Sequence, residues 1–327
     1  MRIFQMNGDG GPVAPAERPV PVPSAGEVLV RVKASSLNAR DLLIANGTYP
    51  VAVPAGRIPL SDGAGVVEAV GDGVSRFRVG DRVMSTFHPT WLYGSFPEWG
   101  ELYGVHRDGW LTEYIAVDEQ SVVGVPEHLS FEEAATLPCA ALTAWSAVSG
   151  VGAGDVLLVQ GSGGVSVFAL QFARLAGARV PATTSSAEKA RRLGALGASE
   201  VVDYSTPEWG AQVRALTGGH GVDLVVEIGG AGTISQSIAA VAYGGRISLV
   251  GNLASGGGMD LTRFFRRGAT LRTITVGSRS DLERMNRVIS RHRLRPVVDR
   301  VFPFDETPDA FSSFAKGPRF GKVVISH

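Results

Sequence analysis

The sequence predicts an α/β protein with a doubly wound parallel sheet and a second, β-rich domain. Between Asp155 and Val276, short apolar strands alternate with helical stretches, a pattern typical of a parallel sheet covered by helices on both faces. Residues 1–120 instead carry strands such as Glu27–Ala34, in which apolar and polar residues alternate. The 327 residues also exceed the about 100–200 residues of a typical domain, so we expect two domains.

The elements follow in order along the chain. The early strands are Glu27–Ala34, Gly65–Val70, Asp81–Met84 and Glu113–Val117. Ser130 is the expected N-cap of a helix that Pro138 should kink or divide. The middle strands are Val156–Gln160, Arg179–Thr183, Glu200–Asp203, Asp223–Glu227, Arg246–Val250 and Thr270–Val276, with helices Val165–Ala176, Ala187–Leu196, Glu208–Thr217, Thr233–Val241 and Leu261–Arg267 between them. The last elements are helix Asp281–Arg293, strand Arg300–Phe304, helix Thr307–Ala315 and strand Gly321–Ile325.

The segment Asp155–Ser166 places a glycine-rich turn between a buried strand and an amphipathic helix. Glycines at such a turn let the backbone approach a pyrophosphate, and the helix start favours the anion. The pattern therefore predicts nucleotide binding at Gly161, Ser162, Gly163, Gly164 and Val165. The sixth motif position is Ser166 in place of glycine, which implies a slightly wider contact between helix and strand. The alternative is a strand–helix turn whose glycines serve sterics only.

Composition excludes several classes of protein. Lys plus Arg and Asp plus Glu each number 31, so zero net charge indicates neither a nucleic-acid nor a membrane partner. No apolar run approaches the roughly 18 residues that span a bilayer, and the first ten residues lack the apolar core of a signal peptide. Cys139 is the single cysteine, so no internal disulfide can form. We expect a cytoplasmic protein.

Several segments together resemble the medium-chain dehydrogenase/reductase superfamily, within its zinc-independent quinone-oxidoreductase-like branch. They are GEVLVRVKASSLNARDLL (26–43), DGAGVVEAVGDGVSRFRVGDRV (62–83), GWLTEYIAV (109–117), LPCAALTAW (137–145), VLLVQGSGGVSVFALQFARLAGARV (156–180) and GKVVI (321–325). The resemblance implies a GroES-like catalytic domain formed by residues 1–122 and 277–327 and a Rossmann domain formed by residues 123–276. It also implies hydride transfer with a nicotinamide cofactor, commonly in a dimer.

The resemblance also bears on zinc. A catalytic zinc site needs three Cys, His or carboxylate ligands and an open position. Where zinc-dependent relatives carry ligands, this chain has Asn38, Ser61 and Cys139, with Asp62 at the acidic position beside them. We therefore expect neither a catalytic nor a structural zinc, and we expect Cys139 to act as a small buried apolar side chain.

The end of the second strand of the parallel sheet distinguishes NADH from NADPH. An NAD site usually places Asp or Glu there, to bind the ribose 2′-hydroxyl. Here Thr184, Ser185 and Ser186 precede Glu188 and Lys189, so hydroxyl donors and a cation could meet a 2′-phosphate. This favours NADPH (NADP). Alternatively, a serine simply caps the next helix, whose basic face is solvated.

The remaining candidate residues follow from the resemblance. It assigns Asn38 and Thr143 to the nicotinamide end, where each could hydrogen-bond a carboxamide, a ribose or a substrate carbonyl. It places Tyr204, Gly251, Asn252 and Lys322 beside the cofactor, although a solvated strand-end lysine is an equal alternative for Lys322.

The segment Thr86–Trp110 is rich in aromatic residues: Phe87, Trp91, Tyr93, Phe96, Trp99, Tyr103 and Trp110. Phe87 and Trp91 could form a flat wall beside an apolar substrate. The alternative is a compact loop that packs on its own aromatic side chains.

These observations favour an NADPH-dependent reductase that transfers a hydride to a quinone, an enone or another small apolar conjugated carbonyl without metal. The alternatives are a metal-free alcohol dehydrogenase or tailoring ketoreductase, and a non-catalytic NADPH-binding protein. The β-rich run Thr270–Val276 should end the parallel sheet, and an exposed edge invites pairing with a second copy, so we expect a homodimer.

Overall fold

The computed structural model describes residues 1–8, 11, 13–97, 100–251, 253–254 and 256–327. It divides into two compact units. Unit 1 comprises Met1–Leu142 and Val276–His327, and unit 2 comprises Thr143–Thr275. No helix in the described ranges is long and apolar enough to cross a membrane.

The strands and helices are labelled in chain order. The strands are β1 (Arg2–Gln5), β2 (Ala14–Glu17), β3 (Glu27–Ser36), β4 (Asp62–Val70), β5 (Arg82–Ser85), β6 (Tyr114–Asp118), β7 (Val122–Gly124), β8 (Leu157–Gln160), β9 (Ala182–Thr183), β10 (Val201–Val202), β11 (Val222–Glu227), β12 (Val241–Leu249), β13 (Thr270–Thr273), β14 (Val298–Pro303) and β15 (Lys322–Ser326). The α-helices are α1 (Ala39–Ala45), α2 (Phe131–Ala134), α3 (Leu142–Ala147), α4 (Gly164–Leu175), α5 (Ala187–Ala195), α6 (Trp209–Ala215), α7 (Ile234–Ala240), α8 (Leu261–Arg267), α9 (Arg279–His292) and α10 (Thr307–Lys316).

Unit 2 is a parallel sheet with the strand order β10-β9-β8-β11-β12-β13. Numbered within the unit, this is the 3-2-1-4-5-6 order of a Rossmann fold, in which ligands bind where the order reverses. That point lies between β8 and β11. All four residues of β8 are buried, as expected for a strand covered on both faces.

Unit 1 is built on a sheet with the order β14-β15-β3-β4-β5-β7, and β6 also pairs with β3. β15 runs antiparallel to β3 with Val324 opposite Ser36, so the last strand of the chain lies beside one of the first. A close fit against Trp110 requires Gly63 in β4, because a Cβ there would lie 2.5 Å from the indole ring. This sheet positions the residues that follow β3.

The predicted fold class is confirmed, although several element boundaries differ. Pro138 does divide its helix: α2 ends at Ala134, a π-helical turn spans Leu137–Ala141, and α3 follows. The strand predicted over Arg179–Thr183 is regular only over Ala182–Thr183, because Pro181 has no N–H for the ladder.

The division between the units also differs from the expected one. The sequence places it after residue 122, whereas the structure places it between Leu142 and Thr143. β7 pairs with β5, and α2 packs on β3 and β4, so residues 123–142 belong to unit 1.

Candidate functional site

The glycine-rich turn of unit 2 connects β8 to α4 at the point where the strand order reverses. Gly161 has φ +70°, a conformation that favours glycine, and Gly163 caps α4. A Cβ at either position would meet no atom within 4 Å, so the turn presents an open surface. Ser162 is buried, whereas Gly164 and Val165 begin the helix half-buried. This geometry fits the predicted approach of a pyrophosphate to a helix start.

Ser166 compensates for the missing sixth glycine. Its hydroxyl donates to the backbone oxygen of Gln160 at 2.5 Å, and its side chain is buried. The serine therefore links the first turn of α4 to the end of β8, in place of the close contact that a glycine would allow.

The ends of β9 and β10 hold the residues predicted to select the cofactor. Ser185 Oγ donates to Tyr204 Oη at 3.2 Å, and both residues are exposed. Ser186 caps α5 by accepting from the backbone N–H of Lys189. The helix-cap alternative is thus realised for Ser186, while Ser185 contacts Tyr204 and Lys189 lies in the first turn of α5. Thr184 is buried, and its Oγ1 accepts from the Ser186 backbone N–H.

Glu227 is the last residue of β11, at the point between β8 and β11 where the strand order reverses. It was not singled out from the sequence. In the described part of the chain, its carboxylate accepts five hydrogen bonds, all from neutral donors. The donors are the backbone N–H groups of Gly229 (2.8 Å) and Gly230 (2.9 Å), Thr233 Oγ1, Gln160 Nε2 (2.8 Å) and Ser237 Oγ. Glu227 therefore holds the loop that follows β11 against the end of β8. The sequence did contain a signal for Glu227: it is an acidic residue at the end of an apolar strand, shortly before two glycines.

Gly251 follows β12 and lies close to that loop. A Cβ at this position would lie 2.6 Å from the backbone oxygen of Ile228, so only glycine fits. Asn252, the other residue predicted here, lies outside the described residues.

Unit 1 brings together residues that the sequence reasoning treated separately. Because β15 pairs with β3, Lys322 at the start of β15 lies beside Leu37 and Asn38, which follow β3. Lys322 Nζ donates to the Leu37 backbone oxygen at 2.5 Å and to Asn38 Oδ1 at 2.6 Å. Asn38 Nδ2 in turn donates to Asp62 Oδ2 at 3.0 Å. The three side chains form a buried network, which we call the Asn38–Asp62–Lys322 network.

Further hydrogen bonds fix this network. Ser61 Oγ donates to Asp62 Oδ1 at 2.7 Å, and the Cys139 backbone N–H donates to Asp62 Oδ2 at 3.3 Å. Asp41, in the first turn of α1, accepts from the Asn38 backbone N–H at 2.7 Å. Asn38, Ser61 and Cys139, which match metal-ligand positions of zinc-dependent relatives, thus all contact Asp62.

Burial dominates the electrostatics of the network. It raises the pKa of Asp62, an effect that the Lys322 ammonium opposes from 4.0 Å. Burial likewise lowers the pKa of Lys322, and Asp62 opposes that shift. Burial raises the pKa of Asp41 to about 6. Cys139 is half-buried, not fully buried as expected; desolvation and the charge of Asp62 raise the pKa of its thiol, which therefore remains protonated at neutral pH.

The aromatic segment packs mainly on itself and on the core. His88 contacts the rings of Phe87, Trp91 and Phe96 at centroid distances of 4.8, 5.6 and 4.8 Å. Trp91 Nε1 donates to the Gly94 backbone oxygen. Tyr103 and Trp110 belong to the core of unit 1, whereas Tyr93 is exposed, and Trp99 lies outside the described residues. The self-packing alternative therefore describes most of this segment.

Sequence reasoning missed Arg40, which contacts the segment from α1. Its guanidinium lies 5.0 Å from the Phe87 ring centroid and 5.4 Å from that of Tyr49. Phe87, a predicted wall of a substrate pocket, is thus covered by a cation in this structure.

Comparisons with known proteins agree with this architecture. Residues 24–127 match the family model for an alcohol dehydrogenase GroES-like domain, and residues 164–291 match the model for a zinc-binding dehydrogenase. A zinc-type alcohol dehydrogenase-like protein of Schizosaccharomyces pombe is 43% identical over 313 residues, which cover 92% of this chain and 90% of the relative. The chain belongs to the medium-chain dehydrogenase/reductase superfamily. It is an oxidoreductase of this superfamily.

Relatives within the medium-chain superfamily carry different activities in their names. The quinone oxidoreductase of Homo sapiens is 26% identical, and the match covers 99% of this chain and 96% of the human protein. A solved structure of an NAD-dependent alcohol dehydrogenase has a TM-score of 0.92 and 38% identity, with 100% of both chains covered. The superfamily is thus established, while the relatives' names differ in substrate.

The names of some medium-chain relatives mention zinc, but this chain offers few side chains that could bind it. In the ranges that the structure describes, no group of three or more His, Cys, Asp or Glu side chains could hold a metal ion. At the expected ligand positions, Asn38 and Ser61 offer neutral oxygens, and the Cys139 thiol is held protonated by burial. The ammonium of Lys322 lies among these residues, and a nearby cation disfavours a second one. The residues do not fit zinc.

Lys322 and Thr143, two of the predicted site residues, are both buried, but they belong to different units. Lys322 is 3% exposed, and two of its three N–H donors are used within unit 1, so the alternative of a solvated strand-end lysine is wrong. Thr143 is buried near the start of α3 and is assigned to unit 2, whereas Asn38 belongs to unit 1.

Proposed function

We propose that this protein is an NADPH-dependent oxidoreductase that transfers a hydride to a quinone, an enone or another conjugated carbonyl without a metal. The observation that carries the proposal is the Asn38–Asp62–Lys322 network, in which an amide and an ammonium lie among the residues that match metal-ligand positions of zinc-dependent relatives. The proposal rests on the chemistry of these donors.

The cofactor residues lie in unit 2. The turn over residues 161–165 leads into the N-terminus of α4, which favours a pyrophosphate, and Gly251 allows a close backbone approach. Ser185, Lys189 and Tyr204 would surround a 2′-phosphate, and no acidic residue occurs between Ala182 and Ala187. NADPH, when bound, supplies the hydride. The name of one relative specifies NAD, so the choice of NADPH for this chain depends on these residues.

Binding of the substrate carbonyl depends on the hydrogen-bond donors that the network leaves unused. Asn38 uses Oδ1 to accept from Lys322 and one Nδ2–H to bind Asp62, which leaves its second Nδ2–H for a carbonyl oxygen. The Thr143 hydroxyl is the second proposed donor. Neither group is a strong acid, so an acceptor that spreads the arriving negative charge over a conjugated system is favoured.

A second candidate activity is that of a metal-free alcohol dehydrogenase or ketoreductase. The alcohol dehydrogenases among the relatives favour it, including one that is 38% identical. A third candidate is an NADPH-binding protein without turnover. We propose in addition that the partners are a small apolar substrate and a second copy of this chain.

One experiment separates these candidates. We would measure kcat/KM at saturating NADPH or NADP for a matched panel of quinones, enones, saturated ketones and secondary alcohols, with zinc content determined on the same preparation. We expect conjugated acceptors to be turned over fastest, with less than about 0.1 zinc per chain and no loss of rate in chelator. Higher kcat/KM for saturated ketones or alcohols would replace this proposal with the second candidate, and no turnover of any compound would favour the third. Zinc at one per chain, with activity lost on its removal, would contradict the metal-free mechanism.

A further inference from the structure

The ammonium of Lys322 is buried together with a carboxylate and an amide. Lys322 is 3% exposed and Asp62 is fully buried. Burying either charge alone would be costly, whereas a pair with satisfied hydrogen bonds is tolerated. Lys322 therefore balances the charge of Asp62 inside unit 1.

The same ammonium also determines which way the Asn38 amide faces. The oxygen and nitrogen of an amide group have similar shapes, so only hydrogen-bond partners distinguish the two orientations. Here the Lys322 donor at 2.6 Å requires Oδ1 on its side, and the Asp62 acceptor at 3.0 Å requires Nδ2 on the other. A flipped amide would set donor against donor and acceptor against acceptor. The network thus admits one orientation.

We propose that Lys322 is the internal cation of this site and a positioning residue for Asn38. It lies among the residues that match metal-ligand positions, and it holds the free Nδ2–H of Asn38 ready to donate to the carbonyl oxygen of the hydride acceptor. Donation to Oδ1 also polarises the amide and strengthens its N–H groups as donors. This inference rests on the proposed function, because it assigns the role of Lys322 within the same site.

The proposal separates Lys322 from a cofactor contact. If Lys322 acts through Asn38, removing its charge should lower kcat and leave the affinity for NADPH unchanged. If it contacted the cofactor, the dissociation constant for NADPH should rise instead. Removing one preorganised donor to a developing oxyanion costs about 10²–10³-fold in kcat, and losing the orientation of Asn38 would have an effect of that order.

The test compares Lys322→Met, which removes the charge, with Lys322→Arg, which keeps it, and with Lys316→Met on the exposed end of α10 as a control. We expect Lys322→Met to lower kcat for a quinone at least about 100-fold, with the NADPH dissociation constant within about twofold of wild type. Lys322→Arg should recover part of the loss, and Lys316→Met should match wild type. A Lys322→Met variant with wild-type kcat, or with weaker NADPH binding as its main defect, would overturn the proposal.

A measurement without turnover keeps the test independent of the proposed activity. In wild-type protein labelled with ¹⁵N, the Asn38 side-chain amide should give one pair of N–H resonances that exchange slowly with solvent. In Lys322→Met the pair should shift and exchange at least about tenfold faster. Where Lys322→Met does not fold, a rapidly exchanging Asn38 amide in wild type refutes the fixed orientation, and a protected one supports it. If wild type reduces no acceptor but its amide is fixed as expected, the proposed function fails while the positioning stands.

Discussion

Replacing Glu227 with Gln tests whether this residue holds the crevice of unit 2 together. The substitution keeps the shape of the side chain but converts one acceptor oxygen into an NH₂ donor. In the described part of the chain, one Glu227 oxygen accepts from Gly229, Gly230 and Thr233, and the other accepts from Gln160 and Ser237. Either orientation of the new amide sets its NH₂ group against at least one obligatory donor, the Gly229 and Gly230 N–H groups on one side or Gln160 Nε2 on the other.

The expected cost follows from these contacts. Each hydrogen bond to a charged acceptor contributes about 1.5–3 kcal/mol; at least one is lost, and the others no longer have a charged acceptor. Removing a buried charge offsets part of that loss. We therefore expect the free energy of unfolding of unit 2 to fall by about 3 kcal/mol.

Native-state hydrogen exchange can assign the loss to one unit. Amides in β8 and β11 should exchange about 100-fold faster in Glu227→Gln, while amides in β3 and β4 of unit 1 should be unchanged. The exposed Glu188→Gln substitution in α5 is the matched control and should leave both units unchanged. A loss below about 1 kcal/mol, or an equal loss in both units, would refute the reasoning from the five hydrogen bonds.

Three further predictions concern the cofactor, the assembly and acid stability. NADPH should bind more tightly than NADH, and Lys189→Ala should selectively weaken NADPH by about 1.5–3 kcal/mol in fluorescence titrations; equal wild-type affinities would count against this. Because β13 ends the sheet of unit 2, light scattering at micromolar concentration should show a dimer, and a monomer would reject that assembly. Burial lowers the pKa of His88 from 6.5 to about 4, so the unfolded state binds the proton more readily and stability falls as pH drops from about 6.5 to 4. His88→Phe should remove up to about 3 kcal/mol of that acid loss in urea titrations, and an unchanged pH profile would contradict it.

The alternation of strands and helices in unit 2 was predictable because the signal is local. Apolar runs of strand length and glycines at strand ends lie within a few residues of one another, and their order determines a parallel sheet. β9 and β10 were predicted longer than they are, since the ends of short strands depend on neighbours that periodicity does not reveal. The strand order itself was not predicted, since the resemblance implied only a Rossmann domain.

The Asn38–Asp62–Lys322 network could not be predicted, because it depends on contacts between distant parts of the chain. Lys322 and Asn38 are 284 residues apart, and only the register of β15 against β3 brings them together. The resemblance named each of these residues and placed Lys322 beside the cofactor and Asn38 at the nicotinamide end, but it did not connect the two side chains. Their mutual hydrogen bond changes the interpretation of both.

The two units each bury a carboxylate, and they stabilise it differently. Glu227 is surrounded by neutral N–H and O–H donors, whereas Asp62 has an ammonium 4.0 Å away. A hydride acceptor gains negative charge as it reacts, and an uncompensated anion beside Asn38 would oppose that change. Lys322 offsets the charge of Asp62 at this place, and the Arg40 guanidinium opposes that of Asp41, which also contacts Asn38. Glu227 lies in the other unit, where its role is to hold a loop. A cation beside Asp62 is therefore what the chemistry proposed for unit 1 requires. With Lys322 in that position, Asn38 can donate to a carbonyl oxygen that gains negative charge without repulsion from Asp62.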